Sequence, residues 1–114
     1  GIGIIPWGPL AGGFLTGKYS RENRSSVEGR LSGTNRLYEN VITKENWGKL
    51  AKLQAFAAER SNKMGEPALA WLLSKPWVST VIAGARMAEQ ISGNVAAAEW
   101  RLTPDDIKEI EAIL

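Results

Sequence analysis

Two glycine-rich turns, each followed by a cation, hold the residue types of this chain that could do chemistry. The first runs from Gly12 to Lys18 and the second from Gly84 to Arg86. Glycines let backbone N–H groups approach an anion closely, and a lysine or arginine places a positive charge beside it. Both turns are therefore typical of phosphate binding.

The first turn allows three interpretations. Residues 12–18 fit the phosphate-loop pattern G-x-x-x-x-G-K, but Tyr19 stands where a Mg²⁺-binding Ser or Thr is needed. The segment from Ser20 to Gly33 is also too polar and too rich in glycine to form the helix that follows such a loop. A turn that only joins two elements is the second interpretation. The third rests on the resemblance to a known family that is described below.

The second turn starts a row of polar side chains at helical spacing. Arg86, Gln90 and Asn94 are four residues apart, so they share one face of a predicted helix. A guanidinium can hold a phosphate through two parallel hydrogen bonds, and the unpaired N–H groups at a helix start attract anions. Amides can hydrogen-bond a purine or a ribose. This row predicts a nucleotide site.

The composition excludes several kinds of chemistry. The 114 residues contain no histidine and no cysteine, so a Ser-His-Asp triad, a Cys-His pair and a histidine- or thiolate-bound metal are all excluded within the chain. No close pair of carboxylates suggests acid–base work. With histidine absent, any acid–base work would fall to Asp, Glu, Lys or Tyr, and no metal ligand is predicted.

The charge and hydropathy place the chain among globular domains. A hydrophobic share of 44% and a net charge of +2 predict binding neither to nucleic acid nor to a membrane surface. There is no run of about 18 apolar residues to span a membrane and no leader typical of secretion. With cysteine absent, we predict a cytoplasmic protein.

Each turn is expected to follow a buried strand. Apolar runs at 2–7 and 77–83 predict two strands covered on both faces, as in a parallel sheet. Because a helical pair lies between them, the order predicts a parallel strand pair with a right-handed crossover. Between the first turn and the helices, 20–41 is an irregular loop with several arginines that could close over a ligand; Arg30 is the predicted contact.

Four helices are predicted from caps and apolar spacing. The first runs from Lys44 to about Asn62 after Thr43, and the second starts at Glu66. The third covers about 88–98, with Ile91, Val95 and Ala98 inward, and the fourth starts at Pro104, with Ile107, Ile110 and Leu114 inward.

These stretches resemble the aldo-keto reductases. Residues 6–19 are similar to the segment after the seventh barrel strand of that family. Residues 84–94 are similar to the segment after its last strand, closest to the branch that includes potassium-channel β-subunits. Residues 68–73 and 100–103 match too, so the resemblance covers the whole chain. It implies an α/β fold: the last two βα units of a (β/α)₈ TIM barrel, with a long cofactor loop and a C-terminal helix, in one domain at 1–114.

The resemblance implies NADP(H) as the cofactor. The chain departs from the family at Gly93, where a glutamate usually stands, and at Gly8, often a serine. The implied or predicted cofactor contacts are Trp7, Gly8, Pro9, Leu10, Ala11, Gly12, Lys18, Arg30, Gly84, Arg86, Gln90 and Asn94.

The resemblance also implies what the chain lacks. The family reduces aldehydes and ketones with an Asp-Tyr-Lys-His tetrad, none of which has a counterpart here, so whether this chain alone is an enzyme stays open. The expected function is the NADP(H)-binding C-terminal portion of a reductase that acts on a small carbonyl substrate. The alternative is a non-catalytic fragment that binds a nucleotide or a partner. Bare strand faces predict self-association or pairing with the rest of a barrel.

Overall fold

The computed structural model describes all residues, 1–114, and its regular structure is helical. The helices are α1 (Lys44–Glu59), α2 (Gly65–Leu73), α3 (Ala88–Glu99) and α4 (Pro104–Ile113). Two short 3₁₀ segments precede them, at Ala11–Thr16 and Arg36–Tyr38. None of the four helices is both long enough and apolar enough to cross a membrane.

Local signals explain where the helices begin. The Thr43 side chain accepts a hydrogen bond from the Asn46 N–H and caps α1. Thr103 and Asp106 form a reciprocal capping box around the first turn of α4, with Pro104 as its first residue. Helix α1 ends at Glu59, three residues earlier than its predicted end at Asn62.

The core forms two neighbouring clusters of buried side chains, linked through Leu15 and Met64, which pack against both. The first joins the first turn and the loop to α1; its buried members are Phe14, Tyr19, Leu31, Tyr38 and Leu50. The second joins α1 to α4 through Leu53, Phe56 and Ile110. The apolar stripe predicted for α1 is confirmed, with Trp47 half-buried against the Phe14 ring at 4.8 Å.

The two predicted strands do not form as regular strands. The segments 2–7 and 77–83 run parallel, as predicted, but meet only where Ile4 lies opposite Val78. The Ile4 N–H donates to the Trp77 carbonyl at 2.8 Å, and the Ser79 N–H donates to the Ile4 carbonyl at 2.9 Å. Two parallel segments with no third strand cannot propagate a ladder, because such sheets need cover on both faces.

The predicted burial of the two segments is wrong for the same reason. Ile2 is 91% exposed, and Ile5 and Ile82 are each more than half exposed. No sheet neighbour or helix in this chain covers them. The described fold is therefore a helical core that carries two extended apolar segments on its surface.

The predicted inward faces of α3 and α4 are only partly right. Helix α3 packs mainly on α2, and its one buried residue is Ala97, whereas Ile91 and Val95 are exposed. In α4, Ile110 is buried as predicted, but Leu114 is exposed. The small Ala97 side chain permits close helix contact, whereas the larger apolar residues of α3 have no partner in this chain.

Candidate cofactor-binding site

The first glycine turn is a tight, internally hydrogen-bonded bend. Gly12 and Gly13 have positive φ angles of 68° and 101°, which interrupt the 3₁₀ segment. The Ala11 N–H donates to the Gly8 carbonyl, while the N–H groups of Gly13 and Leu15 both donate to the Leu10 carbonyl. These three donors are used within the turn and are therefore not free to bind an anion.

Lys18 supplies such a cation just after the turn. Its ammonium group is exposed, lies 4.9 Å from the centre of the Tyr19 ring, and donates to the Glu28 carbonyl at 3.3 Å. The loop is thus held against the turn through the main chain at Glu28. Neither contact neutralises the Lys18 charge, and the exposed side chain can meet an anionic ligand.

The second turn leads into α3, and Gln90 organises the junction. The Gln90 Oε1 atom accepts hydrogen bonds from the N–H groups of Arg86 at 2.7 Å and Met87 at 3.3 Å. Gln90 therefore satisfies the two N–H groups that immediately precede α3, and the exposed Arg86 guanidinium beside them is available to bind an anion. Gln90 was predicted as a cofactor contact; in this structure it caps the helix.

The parallel contact between Ile4 and Val78 orients the two turns. Because both segments run in the same direction, Gly8 and Gly84 follow them toward the same end of the pair. The two cations are also linked through one residue: Arg86 Nη1 lies 3.8 Å from the carboxylate Oε1 of Glu28, whose carbonyl binds Lys18. The structure therefore brings the two predicted phosphate-binding side chains, Lys18 and Arg86, into one region of the surface.

The other predicted contacts are less organised. Trp7 is 73% exposed, so one ring face is free to stack on a planar ligand. Arg30 is exposed and forms no hydrogen bond or ion pair, and Gly84 faces open space. Asn94 is half-buried on α3 without a side-chain hydrogen bond. Pro9 and Leu10 are half-buried in the first turn.

The candidate residues do not line either of two clefts on the chain. These clefts, of about 250 Å³ and 460 Å³, are lined by other residues. One lies beside Arg24 and Tyr38, and the other between Tyr19 and Trp47. No group of three or more acidic side chains comes close enough to hold a metal ion.

Three residues near the site were missed or underrated by sequence reasoning. Tyr19 and Tyr38 are buried core residues, although both lie in a region without apolar periodicity. Glu28 links the two cations, and only its place in the cation-rich loop could have indicated this. No spacing rule connects a loop carboxylate with an arginine far along the chain.

Comparison with known proteins decides the family. The sequence model described as "Aldo/keto reductase family" matches residues 1–114, the full chain. The chain belongs to the aldo/keto reductase family. This confirms the resemblance found in the two glycine turns and their flanking helices.

Named relatives within the aldo/keto reductase family include both subunits and enzymes. A "Probable voltage-gated potassium channel subunit beta" of Oryza sativa subsp. japonica is 36% identical over all of this chain and 36% of its own length. A "Putative voltage-gated potassium channel subunit beta" of Schizosaccharomyces pombe is 40% identical over all of this chain and 34% of its own length. An "L-glyceraldehyde 3-phosphate reductase" of Escherichia coli K12 is 38% identical over 85% of this chain and 29% of its own length. The chain spans about a third of the length of the relatives it matches.

The residues of this aldo/keto reductase chain fit the phosphate end of a dinucleotide. Arg86 and Lys18 are exposed cations whose charges are only weakly engaged, on either side of Glu28. The first turn is closed by left-handed glycines, and the second is anchored by the Gln90 cap. Phosphate groups of a nucleotide match this pair of cations in charge and in hydrogen-bonding chemistry.

Proposed function

We propose that this chain is the NADP(H)-binding C-terminal portion of an aldo/keto reductase whose intact form reduces an aldehyde or ketone. The observation that carries the proposal is the convergence of Lys18 and Arg86 on Glu28, in a chain whose whole length matches the family. The oxidoreductase relatives support the reaction class, and the family supports the cofactor.

In this proposal, the residues of the chain bind and orient the cofactor. Lys18 and the turn at Gly8–Gly12 hold the pyrophosphate, and Trp7 stacks against the nicotinamide end. Arg86 holds the 2′-phosphate, while Gly84, Asn94 and the Gln90 Nε2 group, which the helix cap does not use, position the adenosine. Bound NADPH supplies a hydride for a carbonyl carbon; the proton donor belongs to a tetrad that this chain does not contain.

Because the whole chain matches the aldo/keto reductase family, we also propose that its two extended segments become the last two strands of a (β/α)₈ barrel in the intact protein. Their parallel contact at Ile4 and Val78 has the orientation that such a barrel requires. Their exposed isoleucines are the surface that neighbouring strands and helices would cover. The substrate is a small carbonyl compound, and the proposed location is the cytoplasm.

A second candidate is a non-catalytic module that binds a nucleotide or a partner protein. Two observations favour it: the chain contains no histidine, and two of its relatives are named as potassium channel β-subunits. Nucleotide binding without turnover would be its signature. A carbonyl reductase activity of the intact protein would exclude it.

The test is a titration of the chain with NADPH and NADH, followed by energy transfer from tryptophan to the reduced nicotinamide. We expect saturable binding that prefers NADPH. Because hydrogen bonds to charged groups contribute about 1.5–3 kcal/mol, Arg86→Ala should weaken NADPH binding about tenfold to hundredfold and NADH binding by less than about twofold.

The matched control is Arg101→Ala, which removes the same charge from an exposed arginine that has no ion pair. It should leave both affinities unchanged. Equal losses for NADPH and NADH in Arg86→Ala would reject the phosphate role of Arg86. Mg²⁺-dependent ATP binding that is lost in Lys18→Ala would instead support a phosphate loop.

A further inference from the structure

Glu28 is the only acidic residue that pairs with Arg86. Its carboxylate Oε1 lies 3.8 Å from the Arg86 Nη1 atom, and its main-chain carbonyl accepts a hydrogen bond from Lys18 at 3.3 Å. One loop residue therefore engages both cations of the candidate site. Among Lys18, Glu28 and Arg86, only Glu28 is negatively charged. Its carboxylate lies beside Arg86, where an anionic ligand would bind.

The loop is held in this position by close packing around Gly29. The φ angle of Gly29 is 156°, and a Cβ added there would collide with the Tyr19 hydroxyl and lie 2.7 Å from the Lys18 ammonium nitrogen. Tyr19 is itself buried, and its hydroxyl accepts a hydrogen bond from the Leu31 N–H at 3.3 Å. The main chain at Glu28 is thus fixed against the first turn while its side chain reaches the second.

We propose that the Glu28 carboxylate competes with the 2′-phosphate of a nucleotide for Arg86. This inference rests on the proposed function, in which Arg86 binds that phosphate. A carboxylate and a phosphate use the same guanidinium donors, so both cannot occupy them fully at the same time. Glu28 therefore lowers affinity for ligands that carry a 2′-phosphate and does not affect those that lack one.

The exposure of Arg86 and Glu28 determines how strongly Glu28 lowers the affinity for a 2′-phosphate. The Arg86 side chain is 78% exposed and the Glu28 side chain 95% exposed, so water and salt screen the pair strongly. Such a pair is easily displaced by a doubly charged phosphate. Glu28 consequently reduces the preference for NADP(H) over NAD(H) by a small factor rather than closing the site.

The test compares Glu28→Gln with the parent chain by calorimetric titration at low salt. The probes are adenosine 2′,5′-bisphosphate, which carries the 2′-phosphate, and 5′-AMP, which does not. We expect Glu28→Gln to bind the bisphosphate about two- to fivefold more tightly and 5′-AMP with unchanged affinity. Added salt should reduce the difference between the two proteins.

Glu39→Gln is the matched control, because Glu39 is an exposed loop carboxylate without an ion pair. It removes the same charge and should bind both probes as the parent does. Equal tightening in Glu39→Gln would mean a general charge effect and would overturn the competition.

Two further outcomes separate the competition from the proposed function. Unchanged or weaker bisphosphate binding in Glu28→Gln, with normal binding by the parent, would overturn the competition alone; weaker binding would indicate a carboxylate that clamps the bound ligand. No binding of the bisphosphate by either protein would reject the 2′-phosphate site, and the competition with it.

Discussion

Gly12 and Tyr38 are in direct contact, such that a Cβ added to Gly12 would lie 3.0 Å from the Tyr38 ring. This contact joins the first glycine turn to the end of the loop, near the start of α1. Tyr38 belongs to the same buried cluster as Tyr19 and Leu31. The turn that carries the candidate phosphate site thus packs against a buried residue of the loop.

Gly12→Ala should destabilise the chain by more than Gly8→Ala does. Both glycines have a φ angle of 68°, so both substitutions carry the same left-handed backbone strain, about 1 kcal/mol. Only Gly12 faces a ring, whereas a Cβ at Gly8 would meet open space. The difference in urea unfolding free energy between the two variants therefore measures the Tyr38 contact; equal losses would contradict it.

Tyr19→Phe should lower the free energy of unfolding by about 1 kcal/mol, because the Leu31 N–H loses its acceptor in a buried position. Tyr38→Phe is the control, since the Tyr38 hydroxyl makes no hydrogen bond within the chain. It should be close to neutral. Denaturant unfolding of both variants checks this, and a neutral Tyr19→Phe would show that water replaces the lost bond.

Helix positions could be predicted because their signals are local. Thr43, Pro104 and the spacing of Leu50, Leu53 and Phe56 are read within a few residues. The strands could not be predicted in this way, because the stability of a strand depends on adjacent strands and covering helices. The sequence predicts a buried strand from its isoleucines, but burial needs a covering layer that residues 1–114 do not provide.

The sequence indicates which residues form the candidate site, but it does not indicate their arrangement, and cofactor binding by these residues stays a prediction. Lys18 and Arg86 follow glycine turns, which is a local pattern. The Gln90 cap and the Glu28 contact depend on the path of the chain in three dimensions. The prediction of the inward face of α3 was wrong because helical periodicity identifies an apolar stripe without identifying what lies against it.

Acid should destabilise the contact between α1 and α4 through Asp106. Its carboxylate accepts hydrogen bonds from the Thr103 N–H and from Arg60 Nε, each at 2.9 Å. The Thr103 hydrogen bond and then Arg60 hold the pKa of Asp106 below its ordinary value. Because the folded pKa is below the unfolded one, this stabilisation is present above about pH 4 and is lost as the pH falls through the folded pKa.

Asp106→Asn should therefore lower stability at pH 7 by about 1 kcal/mol and weaken its dependence on pH below about pH 4. Urea unfolding at pH 7, 5, 4 and 3 measures this. Asp105→Asn is the control: it removes a neighbouring charge in the same helix turn but has no contact with Arg60. It should keep the acid dependence, and the same loss of dependence in both variants would contradict the role of Asp106.

The exposed isoleucines predict that the chain associates with itself. Ile5 and Ile82 lie on the two extended segments, both more than half exposed, and the segments carry unpaired backbone groups beyond the single contact at Ile4. Burying apolar surface between copies is favourable by about 25 cal/mol per Å². Sedimentation velocity should therefore show a mean mass that rises with protein concentration.

Replacing both Ile5 and Ile82 by Asp should shift this association toward monomer, because a charge cannot be buried in an apolar contact without a partner. Leu37→Asp is the matched control, since Leu37 is 71% exposed but lies in the loop. It should leave association unchanged if the segments are the contact surface. Equal effects at Leu37 would point to general hydrophobic association, and a parent chain that stays monomeric at every concentration would show that the segments do not pair with each other.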